Sequence, residues 1–490
     1  MVGKDGKSDA PIQYGNLIAG TWVRGEAGSM DVLDKYSDAV FARVDVPSGA
    51  QIAQAVGRAD DAFRKSSLTP HGRGEILDRT ATLLAQRADR LRRILCAEAG
   101  FTTSDASGEI QRCIQTFRLS AEEARRFCGE VIPVQGAPGQ AGRVAWTLRV
   151  PLGVICAITP FNSPLNTVAH KVAPAIAAGN AVILKPSPRT PAVACEMADA
   201  LIEAGLPPGM LSVLHGGEEV VNALLDSPAV QFVAFTGSTE AGRAIQKRAG
   251  LRRTQMELGS IAFGVLCDDA NLDDALGKVV NAAYRKAGQV CTSIQILLVH
   301  ERVFKTARDR LVRRTRDLKY GDPSDATTQV GPVISRASAG RIEGWIHQAV
   351  EQGADCLAGG IREGNVIAPT LLANLHESMK VSCQEVFGPV MALVPISSTQ
   401  DAIERINATP FGLATGIFTN RVDDAFRFAR ELRVGGVHIN ETSSSRVDMM
   451  PYGGSKASGF GREGPYFAMR EMSEDRVVTF MPDTVSGAAT

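Results

Sequence analysis

Between residues 153 and 258, short apolar segments alternate with amphipathic ones, and this alternation constrains the fold more than any other feature. It predicts strands at 153–158, 181–184, 211–214, 231–235 and 254–258, and helices at 167–178, 191–204, 218–225 and 239–249. Apolar strands separated by helical segments are typical of βαβ units, in which helices cover both faces of a parallel sheet. We therefore expect an α/β fold.

A second alternation follows between residues 272 and 440, so the sequence predicts two α/β domains. It comprises helices at 272–285, 303–318, 399–408 and 422–432, and strands at 295–300, 391–395, 416–419 and 436–440. Upstream, residues 51–70 and 72–98 have helical spacing. Two lone extended segments, 144–150 and 476–481, are suited to pair in a small projecting sheet, whose open edge would favour a partner subunit.

Charge and composition exclude several classes of function. The 490 residues carry 53 basic and 53 acidic side chains, and a zero net charge argues against a protein built to bind nucleic acid. Residues 1–10 are polar, and the longest apolar run is far shorter than the roughly 18 residues that span a bilayer. The nine cysteines form no C-x-x-C pair, and the histidines lack zinc-finger spacing. We expect a cytoplasmic protein without a membrane partner or a metal site.

Two residues point to covalent chemistry. Cys291 follows a glycine-containing loop, where a cysteine can be exposed and have a lowered pKa; the alternative is a small buried hydrophobe. Glu257 ends the fifth predicted strand, at the edge where open parallel sheets place catalytic groups. Its carboxylate is suited to activate water, or else to form an ion pair.

Four loops carry further candidates. Asn162 follows the first strand between two prolines, where its carboxamide would stabilise developing negative charge or simply complete a turn. Lys185 follows the second strand, at the edge where dinucleotides bind. Ser238 precedes a helix whose N-terminus is suited to bind phosphate. Glu385 and Phe387 share a loop that is suited to bind a ribose and pack on a ring.

In this order and spacing, the motifs resemble those of the aldehyde dehydrogenase superfamily over residues 15–482. The motif 451–459, Pro-Tyr-Gly-Gly-Ser-Lys-Ala-Ser-Gly, adds to the resemblance. The resemblance implies a Rossmann-type dinucleotide domain (1–129 with 150–258), an α/β catalytic domain (259–470) and a small β oligomerisation domain (130–149 with 471–490). It also implies NAD or NADP as cofactor, a small-molecule aldehyde as substrate, and a homodimer or homotetramer.

The resemblance further implies roles for individual residues. Cys291 would be the nucleophile, Asn162 would stabilise the oxyanion, and Glu257 would activate water to hydrolyse the thioester. Lys185 and Glu385 would contact the two riboses. The cofactor-binding residues implied are Thr159, Pro160, Phe161, Lys185, Ser187, Arg189, Gly217, Thr236, Gly237, Ser238, Leu258, Gly259, Glu385 and Phe387.

Two departures from the family pattern bear on the cofactor. Ser260 replaces the second glycine of Glu-Leu-Gly-Gly, and its side chain is expected to narrow cofactor movement. Pro188 stands where NAD-preferring members usually have a glutamate that contacts the adenosine 2′-hydroxyl. Because that carboxylate would repel a 2′-phosphate, and Arg189 and Lys185 are near in sequence, we expect NADP to be accepted.

The substrate motifs resemble those of members that act on small hydroxy-aldehydes such as lactaldehyde. Members that use phosphonoacetaldehyde are also similar, but neutral Ser163 and Val290 stand where those carry basic residues, which argues against a strongly anionic group at these positions. Arg446 and Arg112 are candidates to bind a polar substrate group, and the alternative for each is a structural ion pair.

Two rival functions remain open. In a CoA-acylating dehydrogenase a thiol, not water, would resolve the thioester, and Glu257 argues against this route. In a non-catalytic dinucleotide-binding protein Cys291 would be silent, and Ser260 is the feature in its favour.

Overall fold

The computed structural model describes residues 11–481, so the terminal residues of the predicted domains, 1–10 and 482–490, lie outside it. Numbered β1 to β23 in chain order, the strands are Ile12–Tyr14, Asn16–Ile18, Thr21–Val23, Ser29–Leu33, Val40–Asp45, Val131–Ile132, Val144–Pro151, Val154–Ile158, Ala181–Lys185, Leu211–Val213, Val230–Thr236, Arg253–Glu257, Ala262–Leu266, Ile294–His300, Asp355–Ala358, Arg362–Glu363, Val366–Ile367, Thr370–Ala373, Val390–Ile396, Ala414–Phe418, Gly436–Ile439, Gly459–Phe460 and Ser473–Phe480.

Helices connect most of these strands. Numbered α1 to α15, they are Gly49–Lys65, Pro70–Gln86, Ala88–Ala99, Thr103–Arg126, Asn166–Ala177, Ala192–Glu203, Glu218–Asp226, Thr239–Ala249, Leu272–Tyr284, Glu301–Arg316, Arg336–Glu351, Lys380–Cys383, Thr399–Ala408, Val422–Glu431 and Pro465–Glu471. Polar residues fix several starts: Ser48 and Gln51 form a reciprocal capping box at α1, which satisfies backbone N–H groups that the first helical turn leaves free. Among the described helices, none is long and apolar enough to cross a membrane.

The first large sheet contains the strands whose carboxyl ends carry the candidate site residues predicted from the sequence. Its order is β22-β12-β11-β8-β9-β10-β2-β3, and β8 to β12 are mutually parallel. Ile158 of β8 is in register with Lys185 of β9, and Thr236 of β11 with Glu257 of β12. The carboxyl ends of these strands therefore meet at one edge, where ligands of open α/β sheets bind.

The second large sheet and a small one complete the architecture. The second sheet has the order β15-β18-β19-β14-β13-β20-β21, with parallel pairing except between β15 and β18. The two lone segments pair as expected: β23 runs antiparallel to β7 from Ser473 to Phe480, and β6 covers the other side of β7. The predicted α/β class is thus confirmed.

Several features differ from the sequence-based expectation. Helices α4 and α11 and strand β13 had no predicted counterpart, although α4 packs against α2, α3 and α5 and β13 is central to the second sheet. The segment after residue 458 was assigned to the catalytic domain, but β22 pairs with β12 and α15 packs on α5, so it lies on the first sheet. The physical reason is the free edge of β12, whose backbone groups need hydrogen-bond partners that only a distant segment supplies.

Candidate active site

One cavity lies between the two large sheets and brings together most of the predicted site residues. Its volume is about 540 Å³. Cys291, Glu257 and Asn162 all line it, and so do Arg112 and Arg446. The cofactor candidates that line it are Thr159, Pro160, Phe161, Lys185, Ser187, Thr236, Gly237, Ser238, Leu258, Gly259, Glu385 and Phe387.

Three predicted residues do not line this cavity. Arg189 is exposed, and Gly217 begins α7 with its N–H donating to Glu219 Oε1 at 2.7 Å. Ser260 is buried, and its main-chain N–H donates to Glu385 Oε1 at 2.9 Å. The Ser260 hydroxyl is buried without a hydrogen-bond partner among residues 11–481, and the effect of this side chain on cofactor movement stays a prediction.

A sharp backbone turn aims Cys291 into the cavity. Lys286 and Ala287 both have φ of 52°, and Gly288 follows with φ of 67°. A Cβ on Gly288 would come within 2.0 Å of the Gly388 carbonyl oxygen, so only glycine fits. Such consecutive left-handed residues are costly and persist where the surrounding structure enforces them, as around a functional side chain.

The Cys291 thiol is half-buried, and its Sγ lies 2.9 Å from the Tyr452 hydroxyl. Burial raises its pKa to about 11, and the carboxylates of Glu257 and Glu385 add to the rise. Desolvation therefore outweighs the favourable contact with Tyr452, in contrast to the expectation of an exposed thiol with a lowered pKa. Three other cysteines, Cys128, Cys356 and Cys383, are exposed.

Glu257 closes the same cavity from the end of β12. Its side chain is buried, and Oε1 has no hydrogen-bond partner within residues 11–481. Burial raises its pKa well above the ordinary value, and the nearby Glu463 carboxylate raises it further. Lys171, which pairs with Glu463 at 3.2 Å, opposes this rise. A buried carboxyl with a raised pKa and an oxygen left without a partner among residues 11–481 has the properties of a general base.

Asn162 is tied to the loop that carries Cys291. Its Nδ2 donates to the Gln289 carbonyl at 2.8 Å, which leaves the second N–H of the amide for another acceptor. A buried ion pair that the sequence did not reveal reinforces this link: Lys286 Nζ lies 2.7 Å from Glu109 and also donates to the Asn162 carbonyl at 3.3 Å. Glu109 in turn accepts from Ser163 and from the N–H of Asn166.

The opposite end of the cavity fits a dinucleotide. The Thr159 and Thr236 hydroxyls are buried without a partner in the described part of the chain. Ser238 caps α8 by accepting from Ala241 N at 3.2 Å, and the first turn of a helix offers N–H groups to a phosphate. Burial lowers the pKa of Lys185 to about 8, and none of the ion pairs within 11–481 includes it, so an anionic or hydroxyl ligand would complete its environment.

Glu385 and Phe387 line the cavity from one loop. Burial raises the pKa of Glu385 to about 7. A Cβ on Gly259 would come within 2.7 Å of Glu385 Oε2, so the strand end and this carboxylate are closely apposed. The Phe387 ring packs edge-to-face against Phe161, with centroids 5.7 Å apart. This arrangement provides a flat apolar slot beside a hydrogen-bonding carboxyl.

The two predicted substrate arginines line the cavity but are already paired. Arg112 contacts Asp448 through Nη2 at 2.6 Å, and the pKa of Asp448 lies well below its usual range because His170 and Arg112 stabilise its carboxylate. Arg446 donates to Glu463 at 3.1 Å, and its guanidinium carbon lies 3.9 Å from the Tyr452 ring centroid. Both therefore have structural contacts.

A third arginine, which the sequence analysis missed, is better placed to bind an anion. Arg285 lines the cavity, and burial lowers its pKa. No ion pair among residues 11–481 includes it, in contrast to Arg112 and Arg446. The sequence signal for Arg285 is its position, six residues before Cys291.

The edge of the first parallel sheet carries Glu257 and the candidate dinucleotide-binding residues, and it faces the loop of the second sheet that carries Cys291. This arrangement is that of a nucleotide-dependent oxidoreductase. The model of the aldehyde dehydrogenase family matches residues 22–478. The chain belongs to this family. The cofactor of such an enzyme is NAD or NADP.

Similar proteins agree with this assignment. The 3-sulfolactaldehyde dehydrogenase of Priestia aryabhattai is 42% identical over 95% of this chain and 98% of that protein. The lactaldehyde dehydrogenase of Methanocaldococcus jannaschii is 35% identical over 94% and 99%. The crystal structure of glyceraldehyde-3-phosphate dehydrogenase GapN from the same organism, complexed with NADP, superposes with a TM-score of 0.90 at 34% identity over 93% of this chain and 100% of that chain.

Proposed function

We propose that this enzyme oxidises a small 2-hydroxyaldehyde to its carboxylic acid with NAD or NADP, with Cys291 as nucleophile and Glu257 as the base for hydrolysis. The observation that carries the proposal is that Cys291, Asn162 and Glu257 line one cavity whose other end fits a dinucleotide. These are the groups that thioester chemistry needs within reach of one carbon atom.

The first half of the reaction builds a thioester on Cys291. Its thiolate attacks the aldehyde carbon, and the carbonyl π electrons move to the oxygen. The second amide N–H of Asn162 and the main-chain N–H of Cys291 stabilise that oxyanion. When bound, the nicotinamide ring would accept the hydride from this same carbon as the oxygen lone pair re-forms the carbonyl, which would leave a thioester on Cys291.

The second half regenerates the thiolate. Glu257 takes a proton from water as the water oxygen attacks the thioester carbon. The C–S bond then breaks, the carboxylic acid departs, and the electron pair returns to sulfur. The raised pKa of Glu257 suits this step, because a more basic carboxylate removes a proton from water more readily.

Rapid-mixing kinetics of two variants test these roles. Cys291→Ala should form no reduced cofactor, whereas Glu257→Gln should give a burst of one equivalent of reduced cofactor followed by slow turnover. Cys356→Ala, which changes an exposed cysteine, is the matched control and should behave as wild type. Turnover by Cys291→Ala would contradict the proposal, and stimulation of turnover by CoA would favour the acylating alternative.

The substrate proposal rests on Arg285 together with the relatives. Lactaldehyde and 3-sulfolactaldehyde, which name two of the relatives, share a 2-hydroxypropanal skeleton and differ by a sulfonate at the far end. Ser163 and Val290 are neutral, so they offer no charge for an anion. Arg285, which forms no ion pair among residues 11–481, supplies a positive charge from another part of the cavity wall. This charge favours an aldehyde that carries an anionic group such as a sulfonate.

NADP acceptance is the cofactor proposal. Lys185 lines the cavity without an ion-pair partner within 11–481, and Pro188 beside it carries no charge to repel a phosphate. Arg189 is exposed and does not line the cavity, and its contact with the cofactor stays a prediction. Measurement of kcat/KM with each cofactor tests this proposal, and at least a tenfold preference for NAD would reject it.

A further inference from the structure

The ring of Tyr452 is held rigidly beside the reactive sulfur. Its main chain forms a two-way hydrogen-bonded bridge with Glu463, at 3.1 Å and 2.7 Å. The Arg446 guanidinium covers the ring at 3.9 Å, and Glu463 fixes that guanidinium through its side chain. The hydroxyl at the tip of this ring lies 2.9 Å from Cys291 Sγ. A backbone bridge and a stacked cation thus fix one polar atom at hydrogen-bond distance from the nucleophile.

We propose that Tyr452 is a catalytic residue, whose hydroxyl donates a hydrogen bond to the Cys291 thiolate and stabilises it for attack. The inference rests on the proposed function, in which Cys291 is the nucleophile. No other side chain among residues 11–481 forms a hydrogen bond with this sulfur. The phenol therefore offsets part of the desolvation of the thiolate through a direct hydrogen bond.

The direction of the hydrogen bond follows from the surrounding groups. Burial raises the pKa of the phenol well above its usual range, and a neighbouring thiolate raises it further, so the tyrosine keeps its proton when the thiol loses its own. The phenol O–H then donates and the thiolate accepts. The stacked Arg446 strengthens this donor, because a cation over the ring withdraws electron density from the hydroxyl.

The other charges around the sulfur mostly oppose ionisation. Glu257 and Glu385 raise the pKa of the thiol, whereas Arg446 and the Tyr452 hydrogen bond lower it. Arg285 also faces the thiolate from the cavity wall. Because the two carboxyls themselves have raised pKa values, their opposition weakens as they become protonated. Among the uncharged groups, the Tyr452 hydroxyl is the one in direct contact with the sulfur.

The test is the pH profile of Cys291 alkylation by iodoacetamide in wild type and Tyr452→Phe, without cofactor and with each cysteine resolved by mass spectrometry. Phenylalanine fills the same space but lacks the hydroxyl. We expect the apparent pKa of Cys291 to rise by about one unit in the variant, which lowers alkylation about tenfold at any pH below the pKa. The pH profile of kcat/KM should shift in the same direction.

Controls separate this role from a packing role. Tyr36→Phe, which alters an exposed tyrosine, should leave the profile unchanged. Tyr452→Leu also lacks the hydroxyl and should show the same rise in the apparent pKa of Cys291. The second variant keeps the test decisive if the first folds poorly. A Cys291 profile that superposes on wild type in both Tyr452 variants would overturn the proposal, even if turnover falls. Failure of the nucleophile assignment is distinguishable, since Cys291→Ala would then retain turnover.

Discussion

At the scale of single residues, the burial of the Cys291 thiol predicts how its reactivity depends on pH. Because the raised pKa of about 11 lies above neutrality, most molecules hold the protonated thiol at neutral pH. The thiolate fraction should grow about tenfold for each pH unit below that pKa. Alkylation of Cys291, followed separately from the exposed cysteines, should therefore increase steeply from about pH 7 to about pH 10. An alkylation rate of Cys291 that stops increasing near neutral pH would contradict a pKa raised by burial of the thiol.

Arg285 predicts how the enzyme separates an anionic aldehyde from a neutral one. Arg285→Met removes the unpaired guanidinium and should raise KM for 3-sulfolactaldehyde by about tenfold to about a hundredfold, the loss of one charge-assisted hydrogen bond. KM for lactaldehyde, which has no anionic group, should change little. Steady-state kinetics with both aldehydes measure the difference.

Arg112→Met is the comparison for this test. Arg112 is already paired with Asp448, so its loss should affect both aldehydes to a similar extent. Equal changes in KM for the two aldehydes in Arg285→Met would show that Arg285 does not bind the anionic group.

At the scale of elements, helix α4 joins the two loops that carry the catalytic groups. Glu109 on this helix accepts from Ser163 at 2.6 Å, in the loop that carries Asn162, and pairs with Lys286 in the loop that carries Cys291. Loss of one partner of a buried pair costs about 3–5 kcal/mol, because the other charge stays desolvated. The pair therefore links the loop of Asn162, the proposed oxyanion donor, to the loop of Cys291, the proposed nucleophile.

Substitution of this pair should change stability and catalysis together. Lys286→Met should lower the free energy of unfolding by about 3 kcal/mol and reduce kcat more than it raises KM. The double variant Glu109→Gln/Lys286→Met should recover part of the stability, since no buried charge remains unpaired. Urea unfolding and steady-state kinetics measure both effects, and additive losses in the double variant would exclude coupling between the two side chains.

The local hydrophobic pattern was sufficient to predict most helices and strands of the two large sheets and the residues at the strand ends. Helix α13 lies at Thr399–Ala408, as predicted, and β8 and β9 differ from prediction by one residue. Helix α4 was missed although Ala106, Ile110 and Cys113 recur at helical spacing. The contacts between Glu109 and Lys286 and between Cys291 and Tyr452 had no such signal, because they join residues 177 and 161 positions apart. Periodicity reports local structure, whereas these contacts depend on how the two sheets face each other.

At the scale of the whole molecule, the small sheet β23-β7-β6 is the candidate surface for forming the expected homodimer or homotetramer. Apolar side chains on it are exposed, including Leu148 at 46%, Val477 at 63% and Phe480 at 57%. Among residues 11–481, strand β23 pairs only with β7, so its outer edge carries free backbone groups. Exposed apolar side chains flank this edge on both faces of the sheet, Leu148 and Phe480 on one face and Val477 on the other. Such an edge is normally covered, and a second copy of this chain offers a matching surface by symmetry.

Val477→Asp should therefore shift the protein toward a smaller species, because burying an unpaired carboxylate in the interface is unfavourable. Size-exclusion chromatography with light scattering measures the molar mass across a dilution series. Leu251→Asp is the matched control, since Leu251 is fully exposed in the turn after α8, away from the sheet. If Val477→Asp and wild type have the same molar mass at every concentration, the small sheet does not mediate assembly, and the expected dimer or tetramer must form through another surface.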